Sequence, residues 1–164
     1  MIKKEVQFTV DVFKSIEDLM PADLSLLSAA RETTQAAYAP YSNFLVGAVA
    51  QLSNGAIVKG TNQENASYPV GLCAERVLLS AISSQFPNMA IQTMAISYHQ
   101  LKGKSDHPIS PCGMCRQSLV EYEQRVKQSF RIILSGMIGE VYIIEKATDL
   151  LPLPFSSSDL ASSR

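Results

Sequence analysis

The sequence predicts an α/β fold, a sandwich of helices around a mixed sheet. Two observations carry that expectation. Two apolar runs, "FLVGAVAQL" and "AIVKGTNQ", meet around Asn54-Gly55, a dipeptide that closes tight β-hairpins because both turn residues tolerate positive φ. After this antiparallel pair the pattern alternates strand, helix, strand, which places helices against a sheet with both parallel and antiparallel neighbours.

The elements follow in chain order. Val6, Phe8, Val10 and Val12 alternate with Glu5, Gln7, Thr9 and Asp11, the period-2 signature of a half-buried strand. From Pro21 to Tyr38, apolar positions recur at spacings of three and four (Leu24, Leu27, Ala30, Thr34, Ala37), which predicts a helix. "YAPYSNF" ends it at Pro40, and the hairpin follows. "ENASYPVG" is polar and turn-rich, so it reads as a loop. "LCAERVLLSAISSQF" is then a helix burying Val77, Leu78, Ala81 and Ile82. "MAIQTMAIS" is near-continuously apolar, as a central strand is. "YHQLKGKSDHPIS" reads as a surface loop, Cys112 to Val126 as a second helix, and "FRIILSG" and "EVYIIEKA" as the closing strands. "DLLPLPFSSSDL" reads as a short helical turn and tail, fraying at residues 161–164.

No repeat, low-complexity tract or linker interrupts the 164 residues, so one domain spans 1–164, with 1–20 an N-terminal strand extension and 156–164 a C-terminal tail. Hydrophobic residues make up 46% and charged ones 18%, values of an ordinary globular core. A net charge of −1 without a Lys/Arg cluster argues against nucleic-acid polymers and anionic membranes as partners. "MIKKEVQFTVDVFK" alternates polar and apolar residues instead of running apolar, so it predicts neither a signal peptide nor a membrane anchor. A cytoplasmic location with reduced thiols is the expectation.

Two of the three cysteines form a CxxC pair in "SPCGMCRQ". On its own that pair fits a redox couple, half of a structural zinc knuckle, or part of a catalytic metal site. Cys73 and Cys112 each stand where a loop enters a helix, and the partial positive charge of a helix N-terminus favours thiolate. Cys112 and Cys115 lie about 60° apart around a helix, so both can face one ion. Cys73 can supply a third sulfur from a parallel helix end. Three ligands leave the fourth tetrahedral position of Zn²⁺ open, the mark of a catalytic site.

Glu75 stands two residues after Cys73, an offset that opposes the two side chains within a regular helix. Both face one site only if Cys73 occupies the opening turn. A carboxylate there serves proton transfer without ligating the metal. Three thiolates over-neutralise Zn²⁺, and Arg76 and Arg116, each directly after a motif, are expected to offset that charge by hydrogen-bonding to sulfur.

Together, "NQENASYPVGLCAER" and "PCGMCRQ" resemble the zinc-dependent cytidine deaminases, in particular the short-chain homotetrameric type that acts on free nucleosides. The resemblance runs from about Ala29 to Leu160. It implies a three-layer α/β/α sandwich with a mixed sheet of about five strands, to which residues 1–20 add one. It implies one Zn²⁺ per chain on Cys73, Cys112 and Cys115. Zinc hydroxide would attack C4 of cytosine, and Glu75 would pass a proton to N3 and then to the departing amino group. Cytidine or 2′-deoxycytidine would yield uridine or 2′-deoxyuridine plus ammonia, as in pyrimidine salvage.

The resemblance also implies that Asn62 and Glu64 bind the ribose 3′-hydroxyl, and that Phe44 packs on the pyrimidine ring. Backbone groups of Ala74 and Ser110 would hold the base edge, and Tyr68 and Phe155 would reach a neighbouring subunit's pocket. Leu45 departs from the family's common proline, and residues 127–148 match by pattern more than by motif. A deaminase of a nucleotide or nucleoside antibiotic shares the same attack chemistry. A catalytically silent zinc scaffold is the reading from a different class.

Overall fold

The computed structural model describes residues 1–160; the expected fraying at 161–164 lies outside the described residues. A six-stranded sheet forms the middle layer: β1 (Asp11–Phe13), β2 (Phe44–Leu52), β3 (Ile57–Thr61), β4 (Ile91–Gln100), β5 (Arg131–Ser135) and β6 (Val141–Ile144). Their spatial order is β1-β6-β5-β4-β2-β3. Among the strands of the described residues, β4 and β5 form the parallel pair, because the helical crossover between them returns the chain to the same end of the sheet. The sheet is therefore mixed, with five strands plus the N-terminal one.

Among the described residues it is accompanied by the α-helices α1 (Pro21–Thr33), α2 (Ala74–Gln85), α3 (Gly113–Val126) and the short α4 (Ser157–Leu160). Leu26, Leu27 and Ala30 of α1 pack on Val49, Ala95 and Ile133 on one face of the sheet. Leu78 and Ile82 of α2 and Leu119 and Tyr122 of α3 pack on Ala48, Met94, Ile96 and Ile132 on the other. This gives three layers. Each fully buried aliphatic side chain contributes about 1.5–3 kcal/mol relative to exposure.

Several sequence expectations are refined. The N-terminal strand is only Asp11–Phe13, paired antiparallel with Val141–Ile143. Beyond Ile143 its partner β6 has one residue left, so the alternating residues before Val10 have no ladder to join. The first α-helix ends at Thr33 and tightens into a 3-10 turn over Thr34–Ala36. The central strand runs on through Tyr98–Gln100, which the sequence reading placed in a surface loop. Antiparallel partners Phe44–Val46 extend the ladder there. The Asn54-Gly55 turn is as expected, with Gly55 at φ 85°.

The helices lie close to the sheet. A Cβ on Gly60 of β3 would stand 2.5 Å from Leu78 N and 2.7 Å from Ala74 O. That close approach sets the first turns of α2 directly against β3. Among the described residues, no helix is long and apolar enough to cross a membrane.

Candidate active site

Cys73 is the N-cap of α2 and Cys112 the N-cap of α3, both in extended backbone conformation and neither using its side chain to cap the helix. N-cap side chains of Ser, Thr or Asp usually turn back on the helix's free N–H groups. Here the sulfurs turn to each other instead. Cys73 Sγ lies 3.7 Å from Cys112 Sγ, which lies 3.4 Å from Cys115 Sγ, and all three lie within 4.8 Å of one another. Sulfurs about 2.3 Å from a tetrahedral zinc stand roughly 3.8 Å apart, so the cluster fits that ion. Two converging helix N-termini add partial positive charge that favours thiolate.

Hydrogen bonding with Cys115 draws the Cys73 thiol down to about 6, against its own burial and the charge of Glu75. The same interaction and burial hold Cys115 well above its ordinary value. Placing Cys73 at the N-cap also resolves the two-residue offset: Glu75, in the first turn of α2, faces the same side as the sulfur. It is 5% exposed, and this burial raises its carboxyl above the usual range, with Cys115 as a hydrogen-bond neighbour acting in opposition.

A cavity of about 490 Å³ opens over the cluster. It gathers Phe44, Asn62, Glu64, Tyr68, Cys73, Ala74, Glu75, Ser110 and Cys112 of the residues singled out from the sequence. Cys115 is fully buried beneath it. Asn62 is partly engaged already: its Oδ1 accepts from Val46 N at 2.8 Å and its Nδ2 donates to Phe44 O at 2.8 Å. A primary amide has a second N–H left to offer a ligand. Glu64 Oε2 accepts from Tyr41 N (2.9 Å) and Ser42 N (3.2 Å). Hydrogen bonding to Ser42, aided by the backbone donors of Tyr41 and Ser42, holds that carboxyl below the usual range against the opposing effect of desolvation.

Three predicted residues stand elsewhere. Phe155 does not line the cavity; its ring is exposed and its carbonyl accepts from Gln117 Nε2 at 2.8 Å. Arg76 lies in a separate groove between α2 and α3, and its charge acts on Cys73 in the direction of thiolate as the smallest of the influences there. The expected Arg116–sulfur contact is corrected: Arg116 Nε donates to Pro111 O (2.8 Å) and Nη1 to Leu150 O (3.0 Å). Carbonyls within reach satisfy a half-buried fork that sulfur, a weak acceptor, would satisfy less well. Tyr68 borders the cavity but is largely exposed, edge-on to Tyr41 at 5.8 Å.

Sequence reasoning missed Tyr98. Its ring stacks on Phe44 with centroids 4.8 Å apart and planes 11° from parallel, and its hydroxyl lies 3.3 Å from His107 Nδ1. A tyrosine directly extending the apolar run "MAIS" was the available signal.

Comparison with known proteins agrees with this geometry. Residues 20–129 match the profile of the cytidine and deoxycytidylate deaminase zinc-binding region. The chain is 32% identical to a cytidine deaminase of Halalkalibacterium halodurans over 135 residues, covering 82% of this chain and 95% of that one. It is 33% identical to one from Sporosarcina psychrophila, covering 83% and 93%. The crystal structure of a cytidine deaminase from Burkholderia pseudomallei superposes with a TM-score of 0.68 at 38% identity, over 80% of this chain and 97% of that one.

Proposed function

The chain belongs to the cytidine and deoxycytidylate deaminase zinc-binding family, and from that premise we propose that it hydrolyses the 4-amino group of cytidine and 2′-deoxycytidine. The products are uridine or 2′-deoxyuridine and ammonia, and the setting is cytoplasmic pyrimidine salvage. The carrying observation is the placement of Glu75, buried against the three-sulfur cluster in the cavity that also holds Phe44, Asn62 and Glu64.

Cys73, Cys112 and Cys115 hold one zinc ion. When bound, zinc supplies the Lewis acidity that makes a water nucleophilic near neutral pH. The Glu75 carboxylate would take one proton of the attacking water and deliver it to N3 of the base, then pass the second, released as the hydroxyl at C4 becomes the product carbonyl, to the departing amine. Burial suits it to this work, because raising a carboxyl above its ordinary range makes it a better proton acceptor while leaving it able to give the proton back. The Phe44 ring, braced by Tyr98, packs on the flat pyrimidine. The first-turn N–H at Ala74 and the Ser110 backbone hold the base edge, since helix N-termini leave such donors free. The remaining N–H of Asn62 and the Glu64 carboxylate bind the ribose 3′-hydroxyl. Arg76 tempers the cluster's negative charge.

A nucleotide substrate is disfavoured by one observation. Among the described residues, the wall of this cavity carries Glu64 and Glu75 but neither lysine nor arginine. A 5′-phosphate would enter a field of its own sign without a cation to pair with.

The chain acts as a homotetramer in this reading, with Tyr68 and Phe155 completing a neighbour's pocket. Support comes from their exposure near the cavity rim and C-terminal segment, respectively. Solution mass tests it, and a stable, active monomer overturns it. The activity itself is tested by the fall in cytidine's ultraviolet absorbance with purified protein, abolished by Glu75→Gln. One zinc per chain with cytidine left unchanged would overturn the reading in favour of a silent scaffold.

A further inference from the structure

Helix α3 holds the C-terminal segment 147–155 through three side chains. Arg116 reaches Leu150 O (3.0 Å) while gripping Pro111 O (2.8 Å). Gln117 donates to Phe155 O (2.8 Å). Glu123, two turns further on and 4% exposed, accepts from Phe130 N (2.9 Å), Ala147 N (3.1 Å) and Thr148 N (3.1 Å). Between Leu150 and Phe155 the chain makes a left-handed turn at Leu153, φ 57°, which costs energy in any residue bearing a Cβ. The Leu153 side chain is 79% exposed, so its own packing does not hold that turn. The bonds at Leu150 and Phe155 bracket it.

The other end of the Arg116 fork bears on the metal site. Among the described residues, the bond to Pro111 O is the one hydrogen bond that anchors the backbone of residues 108–111. Pro111 and the proline at 108 have no N–H to offer, so half of this four-residue stretch can be held only through its carbonyls. It carries Ser110 and leads directly into Cys112.

We propose that Arg116 is a positioning residue: through Pro111 O it fixes the loop that presents Cys112, and through Leu150 O it ties that loop to segment 147–155, so that the two open and close as one unit. The planar guanidinium suits this role because its Nε and Nη1 donors point to two separate carbonyls at once. A lysine ammonium keeps the charge but not the fork. The role differs from charge compensation at sulfur, which a lysine would largely preserve.

The proposal rests on the zinc assignment, and one set of experiments separates the two. Zinc-loaded wild type, Arg116→Lys, Arg116→Gln and Gln117→Leu are challenged with excess chromogenic chelator, and amide hydrogen exchange is followed in the same proteins. Both Arg116 variants are expected to release zinc about tenfold faster or more, the usual cost of losing a partner that orients a ligand. Residues 109–112 and 147–151 should lose exchange protection together. Gln117→Leu should loosen only the end of the segment near Phe155 and release zinc at the wild-type rate.

Zinc release by Arg116→Lys at the wild-type rate overturns the proposal, as does loss of protection in one segment alone. A lowered melting temperature with unchanged zinc release overturns it too. Wild-type protein that binds no zinc refutes the metal assignment instead, and the exchange measurement still decides whether the two segments are coupled.

Discussion

Cys73 and Cys112 occupy the N-cap positions of two helices with their sulfurs 3.7 Å apart. Two thiols brought this close under two helix N-termini favour cation binding over independent protonation. Cys→Ser at position 73, 112 or 115 is expected to abolish stoichiometric zinc. Stripping the metal should lower the melting temperature reversibly. Zinc at a thousandfold excess over its Kd adds about 4.1 kcal/mol, on the order of 10 °C for a chain of this size. Metal analysis and calorimetry before and after chelation check both outcomes. An unchanged melting temperature would count against the site.

Glu75 makes stability depend on pH in the metal-free protein. Burial raises its carboxyl, so the folded state resists losing that proton. The associated stability is complete below the ordinary glutamate value of about 4.3 and is lost as pH rises through the folded value. The unfolded chain, which deprotonates first, gains the difference. Glu75→Gln removes this effect. Chelator-treated wild type and variant should unfold at similar denaturant concentrations near pH 4 and diverge above it. The variant becomes the more stable by up to roughly 1.4 kcal/mol per pH unit across the window. A gap that does not vary with pH would refute the effect.

Glu64 shifts the other way. Its carboxyl is held low by hydrogen bonding to Ser42 and by the backbone N–H groups of Tyr41 and Ser42, so it remains ionised well into the acid range. The KM for cytidine should therefore stay flat as pH falls from neutrality to about 5, above the ordinary carboxylate range. Glu64→Ala should raise KM roughly tenfold through the lost charged hydrogen bond and by releasing the turn at Tyr41 and Ser42. Initial rates across cytidine concentration and pH test both points.

How far the sequence could be read depends on where each residue finds its partner. The hairpin is local, decided by Asn54-Gly55, and β2 begins and ends where its apolar run does. The Cys73/Glu75 spacing was legible because only a helix's opening turn lets both point one way. The N-terminal strand misled because alternation is a property of the strand alone, while its length was limited by β6, four residues long and far along the chain. Arg116 misled for a related reason. Its neighbour in sequence is a cysteine, but its acceptors include Leu150 O, 34 residues away. Tyr98 was hidden by the polar His99 and Gln100 that follow it, although pairing with Phe44–Val46 carries all three into the sheet.

Tyr98 braces the wall that Phe44 offers to the pyrimidine. The parallel stack at 4.8 Å fixes the Phe44 ring plane, and such aromatic pairs contribute about 0.5–1.5 kcal/mol beyond area burial. Tyr98→Phe keeps the stack and should leave KM within about twofold of wild type. Tyr98→Leu removes it and should raise KM by about threefold to tenfold, the same energy read as binding. Equal effects from the two variants would assign the role to the hydroxyl and its His107 contact instead.

Gly60 connects the sheet to the chemistry. The atoms its Cβ would meet, Leu78 N at 2.5 Å and Ala74 O at 2.7 Å, are backbone and cannot rotate aside. Gly60→Ala must therefore push α2 off β3, at a cost of about 3 kcal/mol, the upper part of the range for overpacking. That displacement acts on the turn of α2 that begins at Ala74, so it should move Cys73 and Glu75 relative to the CxxC pair on α3. The expected result is a lower denaturation midpoint together with weakened zinc retention. Gly55→Ala provides the contrast: nothing lies within 4 Å of its Cβ, but its φ of 85° makes alanine costly. It should destabilise the hairpin at the opposite end of β2 from Phe44 and leave zinc affinity in the folded protein unchanged. Chelator competition on both variants, below the temperature at which either unfolds, separates a displaced site from a merely less stable fold. Equal zinc affinity in the two would show that α2 absorbs the extra methyl group without moving its cysteine.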